Sequence, residues 1–287
     1  EVTVGGKTIE AVDPYARAAG TNGKRGMVID LSRTNPSGWR YKSHVTVPNQ
    51  TDAIIYELHV RDLSMHPESG ITNKGKYKGL IETGTKNSLG QSTGLDHIKE
   101  LGVTHIHLLP VYDYLSVDES KMDTPQFNWG YDPQNYNVPE GYYSTDSSNG
   151  EVRVQEFKEM VQGLHDNGLG VIMDVVYNHI YEVEGSSLDA CVPYYYFRYV
   201  DGKLSDGTFC GNEIASEFTM VRKFIVDSCV YFVEAFDIDG YRFDLMGITD
   251  IETMNEIRRR LVEIKPNIVL YGEGWNMASG IKESIRA

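Results

Sequence analysis

The chain has 287 residues, a formal net charge of −14 and a sequence pI near 5.0, a balance that argues against nucleic acid or an anionic membrane surface as partner. No apolar run approaches the ~18 residues of a membrane-spanning helix, so no membrane segment is expected. The length suits one large α/β domain or two smaller ones, with ample chain to bury a core.

Cys191, Cys210 and Cys229 are odd in number and lack metal-ligand spacing, so they read as free thiols with a weak lean to a reducing, cytoplasmic compartment. The chain opens EVTVGGKTIE, without an initiator methionine or a basic-then-apolar leader, and reads as the middle of a longer protein. Over residues 1 to 50, Val2 and Val4 alternate with polar residues, and turn signals follow at Gly5-Gly6, Asp13-Pro14, Asn22-Gly23 and Asn35-Pro36. Met27, Val28 and Ile29 form another short apolar run. This segment reads as the tail of a β-rich, sandwich-type module plus a linker.

From residue 51 the pattern becomes strands alternating with helices. AIIYELHV predicts a strand buried on both faces. A Gly- and Lys-rich loop leads to STGLDHIKELG, a short helix with Ser92 or Thr93 as cap, Leu95, Ile98 and Leu101 on one face, and Gly102 as its end. VTHIHLLPV is the next strand. Val154, Phe157, Met160, Val161 and Leu164 then mark a helix over 152–167. The strand GVIMDVVY, a loop to about 213, a helix over 216–235, the strand before Asp244, the helix of ETMNEIRRRLVEIKP and the strand NIVLYGE complete the series.

Strands alternating with amphipathic helices are economically folded as a closed (β/α)8 barrel or an open doubly wound sheet. No G-x-G-x-x-G opens the first helix and no P-loop occurs in the sequence, which weakens a nucleotide-binding sheet. Polar residues fall after successive strands: Asp174, Asn178 and His179, then Asp244, then Glu273. A barrel active site requires functional groups at the carboxyl ends of several strands. The expected fold is therefore α/β, a (β/α)8 TIM barrel whose first five units span residues 51–287.

Arg242 and Asp244 lie two apart on a strand, so they share a face, and the guanidinium favours the ionised carboxylate. That arrangement suits a nucleophile, although an ordinary interior ion pair has the same spacing. Glu273 supplies a second carboxylate. Two such groups about 5 Å apart make a retaining glycosidase pair. The competing reading is Mg²⁺ or Ca²⁺ binding, against which stands the repulsion between a metal and Arg242. Trp129, Tyr131, Tyr136, Tyr142, Tyr143 and Trp275 fall in loops or just past strand ends, where flat rings can stack on pyranose faces, and about half are expected to serve packing alone.

DVVYNH (174–179), GYRFDLMGI (240–248) and YGEGW (271–275) resemble the first three conserved regions of the α-amylase superfamily, in order. FNWGYDPQNYNVPEGYYSTD resembles the signature of type I pullulanases, the debranching enzymes that cut α-1,6 bonds. YELHVRDLS, GVTHIHLLPV and CGNEIASE fit the same family, and VDPYARAAGTNGKRGMVIDL resembles its join between β-sandwich modules and barrel.

The resemblance implies Asp244 as nucleophile, Glu273 as acid/base and Arg242 as the residue that orients and ionises Asp244. It implies that His179 bonds the sugar in the cleaved subsite while Asp174 and Asn178 hold the rim. Tyr131 would stack on that sugar, Asp132 would bond its hydroxyls, Trp275 would stack across the scissile bond, and Trp129 joins the substrate-binding set. An α-glucan poly- or oligosaccharide is the implied partner. The resemblance makes no cofactor certain; Ca²⁺ is the candidate, since the superfamily often carries it near the third strand, although nothing in the sequence spells a ligand set. Two departures stand out. Phe127 replaces the tyrosine that usually opens the signature, and the family's fourth region, a His-Asp pair after a later strand, does not occur in these 287 residues. An isoamylase-type debranching enzyme and a non-catalytic glucan-binding barrel are the alternative readings.

Overall fold

A computed structural model describes residues 1–39, 45, 47–275 and 277–287; residues 40–44 and 46 of the expected linker lie outside the described residues. The organising element is a five-stranded parallel sheet in sequence order. Its strands are β1 (Ile55–Leu58), β2 (His105–Leu108), β3 (Gly170–Val175), β4 (Gly240–Phe243) and β5 (Val269–Gly272). The main connecting helices are α1 (Gly94–Glu100) and α2 (Gly150–Asp166), then α3 (Thr219–Phe236) and α4 (Ile251–Ile264).

Register explains why the site lies on one face. Residues paired across parallel strands point the same way, and Glu57, His107, Ile172, Gly240 and Val269 form one row. Two residues further on, Asp174, Arg242 and Tyr271 form the next row on that same face. The opposite face carries Leu58, Leu108, Met173, Tyr241 and Leu270. Most of these join one continuous core with Phe157 and Leu164 of α2 and Phe224, Phe232 and Phe236 of α3. One face therefore builds the core and the other concentrates polar groups.

Helix boundaries follow local chemistry. Asn149 caps α2 by accepting from the Glu151 N–H at 3.0 Å, and Asp250 caps α4 by accepting from the Thr253 N–H at 3.0 Å. At α1 the expected cap differs. Thr93 occupies the N-cap position, but its hydroxyl donates to the Ser69 carbonyl at 2.5 Å and makes no cap bond. Leu95 and Ile98 are buried whereas Leu101, the residue after the end of α1, is half exposed. The strand over AIIYELHV is not buried on both faces either. Ile54, Ile55 and Glu57 are exposed, since β1 is an edge strand with β2 as its one partner among the described residues.

The N-terminal residues form one hairpin, Val2–Val4 with Lys7–Ile9, and then pack against the helices. Ala18 and Ala19 are fully buried, and the Arg17 guanidinium lies 3.6 Å from the ring centre of Tyr231 on α3. Lys158 of α2 donates to the Leu31 carbonyl, Thr34 and Asn35 at 2.7–3.0 Å. Val28, from the expected apolar run, is fully exposed. The loop after β2 contains a further antiparallel pair, Tyr112–Tyr114 with Pro133–Pro139, which carries the signature residues to the mouth of the sheet.

Candidate active site

Asp244 and Glu273 each follow the last residue of their strand, β4 and β5, and the backbone continues the ladder through them. The Asp244 N–H donates to the Val175 carbonyl at 3.0 Å and the Glu273 N–H to the Phe243 carbonyl at 3.1 Å. Both carboxylates are thus fixed at the same end of neighbouring strands. One guanidinium joins them. Arg242 Nη1 donates to Asp244 Oδ1 at 2.9 Å and to Asp174 Oδ1 at 3.0 Å, while Nη2 pairs with Glu273 Oε1.

The turn after Asp244 is strained. Leu245 has φ 42°, a left-handed conformation that costs a non-glycine residue about 1–2 kcal/mol. In that conformation its N–H donates to Glu273 Oε2 at 3.3 Å, so the strained residue aims an amide at the second carboxylate. Gly247 permits the close approach behind it. A Cβ there would meet the Trp275 carbonyl oxygen at 2.4 Å.

Asp174 is the hub of the third strand. Besides Arg242, its Oδ2 accepts from the Tyr131 hydroxyl at 2.7 Å and lies 3.1 Å from His107 Nε2. The other ring nitrogen of His107 lies 3.2 Å from the Tyr271 hydroxyl. Asn178 Nδ2 donates to Asp244 Oδ2 at 2.8 Å and to its carbonyl at 2.9 Å. His179 is buried, and its ring nitrogens face Asn178 Oδ1 at 2.5 Å and the Tyr131 carbonyl at 2.9 Å. Burial pushes the His179 imidazole below its ordinary value.

Electrostatics differ from the expected picture in one respect. Arg242 does lower the Asp244 pKa, but the net shift is upward: burial raises it most and the nearby Asp174 charge adds to that. Asn178 and Arg242 offset this only partly, because the single guanidinium is shared among three carboxylates. The same environment pushes the Arg242 pKa up: burial lowers it, and the charge and hydrogen bonds of Asp174 more than offset that.

The aromatics divide. Tyr136, Tyr142 and Tyr143 are buried in the core, whereas Trp129 and Trp275 are each 61% exposed. Tyr131 is half-buried beside the carboxylates. Phe127 stacks on His59 with ring centres 5.8 Å apart and meets Trp129 edge-on at 6.2 Å. Asp132 accepts from the Ser116 N–H at 2.8 Å through Oδ2, and burial raises its pKa. His107 and Tyr271 are members that the sequence reading missed. The available signal was His105 and His107 alternating within VTHIHLLPV, which places two imidazoles on one strand face.

For Ca²⁺, the closest grouping of ligand atoms among the described residues is Asp113, Glu119 and Glu140, within 4.8 Å of one another. Arg153 binds Asp113 at 3.1 Å and Glu119 at 2.5 Å there, so the cluster already holds a cationic side chain. A cleft of about 660 Å³ between the N-terminal segment and residues 180–187 is lined by none of Asp174, Asp244 and Glu273. The candidate carboxylates lie instead on the polar face of the sheet.

Comparison with known proteins agrees with this arrangement. Residues 72–190 match the family described as alpha amylase, catalytic domain. Over 285 residues the chain is 45% identical to a pullulanase of Bacillus subtilis, covering 97% of this chain and 38% of that protein. The apo pullulanase of Paenibacillus barengoltzii superposes with a TM-score of 0.97 at 57% identity, over 99% of this chain and 44% of that one. The same enzyme in complex with maltohexaose and α-cyclodextrin gives 0.95 over 96% of this chain and 43% of that one. The chain thus spans about two fifths of the length of these relatives. With three strand-end motifs, their geometry and these likenesses in agreement, the chain belongs to the pullulanase group of the α-amylase superfamily.

Proposed function

We propose that the whole protein is a retaining glycoside hydrolase that cleaves α-1,6-glucosidic branch linkages in pullulan and branched starch-type glucans. The observation that carries this reading is the sharing of Arg242 by Asp244 and Glu273. Two carboxyls bound to neighbouring amino groups of one guanidinium are held only a few ångströms apart, in keeping with the ~5 Å of retaining enzymes. Asp244 attacks the anomeric carbon and forms a glycosyl ester as the C–O bond to the leaving sugar breaks. Glu273 donates its proton to that leaving oxygen and then takes a proton from the water that hydrolyses the ester.

Within this reading the five strands are the first five units of a (β/α)8 barrel, with residues 1–50 as the end of a preceding β-rich module. Tyr131 and Trp275 stack on sugars either side of the scissile bond, with Trp129 at the rim, while Asp132 and His179 bond hydroxyls. Asp174 and Asn178 position the carboxylates. The maltohexaose complex of a relative supports an α-glucan substrate. The three free thiols suit a reducing compartment.

The test uses the full-length enzyme on pullulan, with anomeric configuration followed by NMR. Wild type should release oligosaccharides with retained configuration. Glu273→Gln should lose on the order of 10²–10⁴ in rate, and Asp244→Asn at least as much while still binding oligosaccharide. Near-normal turnover by Asp244→Asn would remove it as nucleophile, and cleavage of amylopectin without pullulan would move the protein to the isoamylase type.

A further inference from the structure

The turn at residues 206–211 holds an aromatic residue in a left-handed conformation that burial of its side chain does not offset. Phe209 has φ 60° and the residue is 74% exposed. A left-handed backbone is unfavourable for a phenylalanine, and an exposed ring recovers no burial energy to offset it. Such strain persists only where the surroundings impose it, and it concentrates at ligand sites.

The surroundings do impose it. Asp206 Oδ1 accepts from the Gly211 N–H at 2.7 Å, and the Thr208 hydroxyl donates to the Asn212 carbonyl at 2.7 Å. Asn212 then clasps the backbone of Ile180, donating to its carbonyl at 2.8 Å and accepting from its N–H at 3.0 Å. Ile180 directly follows His179. On its other side, Glu213 accepts from the Gly207 N–H and from the Ser279 hydroxyl, each at 2.5 Å. A Cβ at Gly207 would stand 2.4 Å from Ser279 Cα, so the turn presses on the segment that follows Glu273 and Trp275.

The turn is therefore tied to the end of β3 on one side and to the segment after β5 on the other. The end of β4, with Asp244, lies between those two strands. Consistent with that placement, burial raises the Cys210 thiol, and the charges of Asp206 and Asp244 add to the rise.

We infer that Phe209 is a sugar-stacking platform at the mouth of the catalytic cleft, taking the apolar face of a glucose ring of an α-glucan chain and strengthening substrate binding. The inference rests on the hydrolase reading above for the identity of the ligand. Tyr194 supplies an internal control. It too has a left-handed φ, 65°, and is 77% exposed, but its ring lies against Tyr199, 5.8 Å between centres.

The experiment compares full-length wild type, Phe209→Gly, Phe209→Trp and Tyr194→Gly in three measurements. These are the Kd for maltotetraose in an Asp244→Asn background, KM and kcat on pullulan, and the melting temperature. Phe209→Gly should raise both Kd and KM about fivefold, the scale of one aromatic contact, with kcat within about twofold, while its melting temperature rises because the strain is relieved. Phe209→Trp should keep Kd and KM within about twofold of wild type. Tyr194→Gly should change neither. Unchanged Kd and KM in Phe209→Gly, or a loss in Phe209→Trp equal to that in Phe209→Gly, overturns the platform. Failure of the hydrolase reading shows separately, as wild type that binds maltotetraose without cutting pullulan, and the Kd comparison still decides the role of Phe209.

Discussion

As the proposed nucleophile, Asp244 has to be ionised to attack, yet it lies where burial and the Asp174 charge favour its protonated form. The site manages this conflict with two groups that act on Asp244 directly, the amide of Asn178 and the guanidinium of Arg242. Because the folded pKa lies above the ordinary ~3.9 of an aspartate, the acid limb of kcat/KM should fall at a higher pH than a free aspartate would give. Asn178→Ala deletes a hydrogen bond that favours the charged form, so the Asp244 pKa should rise further. The expected outcome is an acid limb displaced to higher pH with the alkaline limb unmoved, measured as kcat/KM on pullulan against pH in the full-length enzyme. An acid limb that stays in place or moves down would mean that another group titrates there.

At the scale of elements, what was legible depended on whether a periodic pattern or a three-dimensional contact decided the outcome. Helices α2, α3 and α4 were legible because their apolar residues recur at helical spacing. The strands β2 to β5 were legible as short β-rich runs ending in polar residues. The Asp244, Glu273 and Arg242 constellation could be read because those residues share a strand or end adjacent ones. The pair Tyr112–Tyr114 and Pro133–Pro139 was not legible, since prolines and shifts of register disguise it. His107 was read only as part of a strand, because its partners Asp174 and Tyr271 are far away in sequence. The rise in the Asp244 pKa was hidden for the same reason, as the sharing of Arg242 appears only once the strands are side by side.

Helix α2 also carries a structural burden invisible in its sequence pattern. Arg153, fully buried, faces Asp113 and Glu119 and donates to the carbonyls of Gly20 and Ser147 at 2.7 Å. It ties together the N-terminal segment, the loop after β2 and α2. Removing one member of a buried ion network leaves uncompensated charge, at a cost of about 3–5 kcal/mol, and Arg153→Met should show a loss of that size at pH 8. Burial is the main cause that raises the Asp113 carboxyl to about 7. Its folded pKa exceeds its unfolded value, so the stability from its protonation is present in full below about 3.9 and is lost as pH rises through about 7. The deficit of Arg153→Met should accordingly shrink at pH 5.5, where the carboxyl takes up a proton. Thermal unfolding at the two pH values checks this, and an equal deficit at both would mean that the network is not held by charge.

At the scale of the whole molecule, the sheet has two edges without partners among the described residues, β1 and β5. Ile54 and Ile55 are exposed along the first, and unpaired apolar edges recruit other chains. A (β/α)8 barrel closes its ladder through its last strands and fills its interior with layers of side chains from all eight. The polar face that carries His107, Asp174, Arg242 and Tyr271 has such filling from one side only: Asp174 and His107 are buried, whereas the Glu273 side chain, at the end of the edge strand β5, is only partly covered. The family's transition-state aspartate, from the His-Asp region, does not occur in these 287 residues. Expressed alone, they should therefore associate through the open edges and show no hydrolysis of pullulan, although Asp244 and Glu273 are both present. Co-expression with the remaining barrel strands should restore a single soluble species and activity together, because edge pairing and completion of the site come from the same segment. Size-exclusion chromatography and reducing-sugar release measure the two. A monodisperse, cooperatively melting monomer of the 287 residues that hydrolyses pullulan would refute both the closed-barrel reading and the need for a third carboxylate.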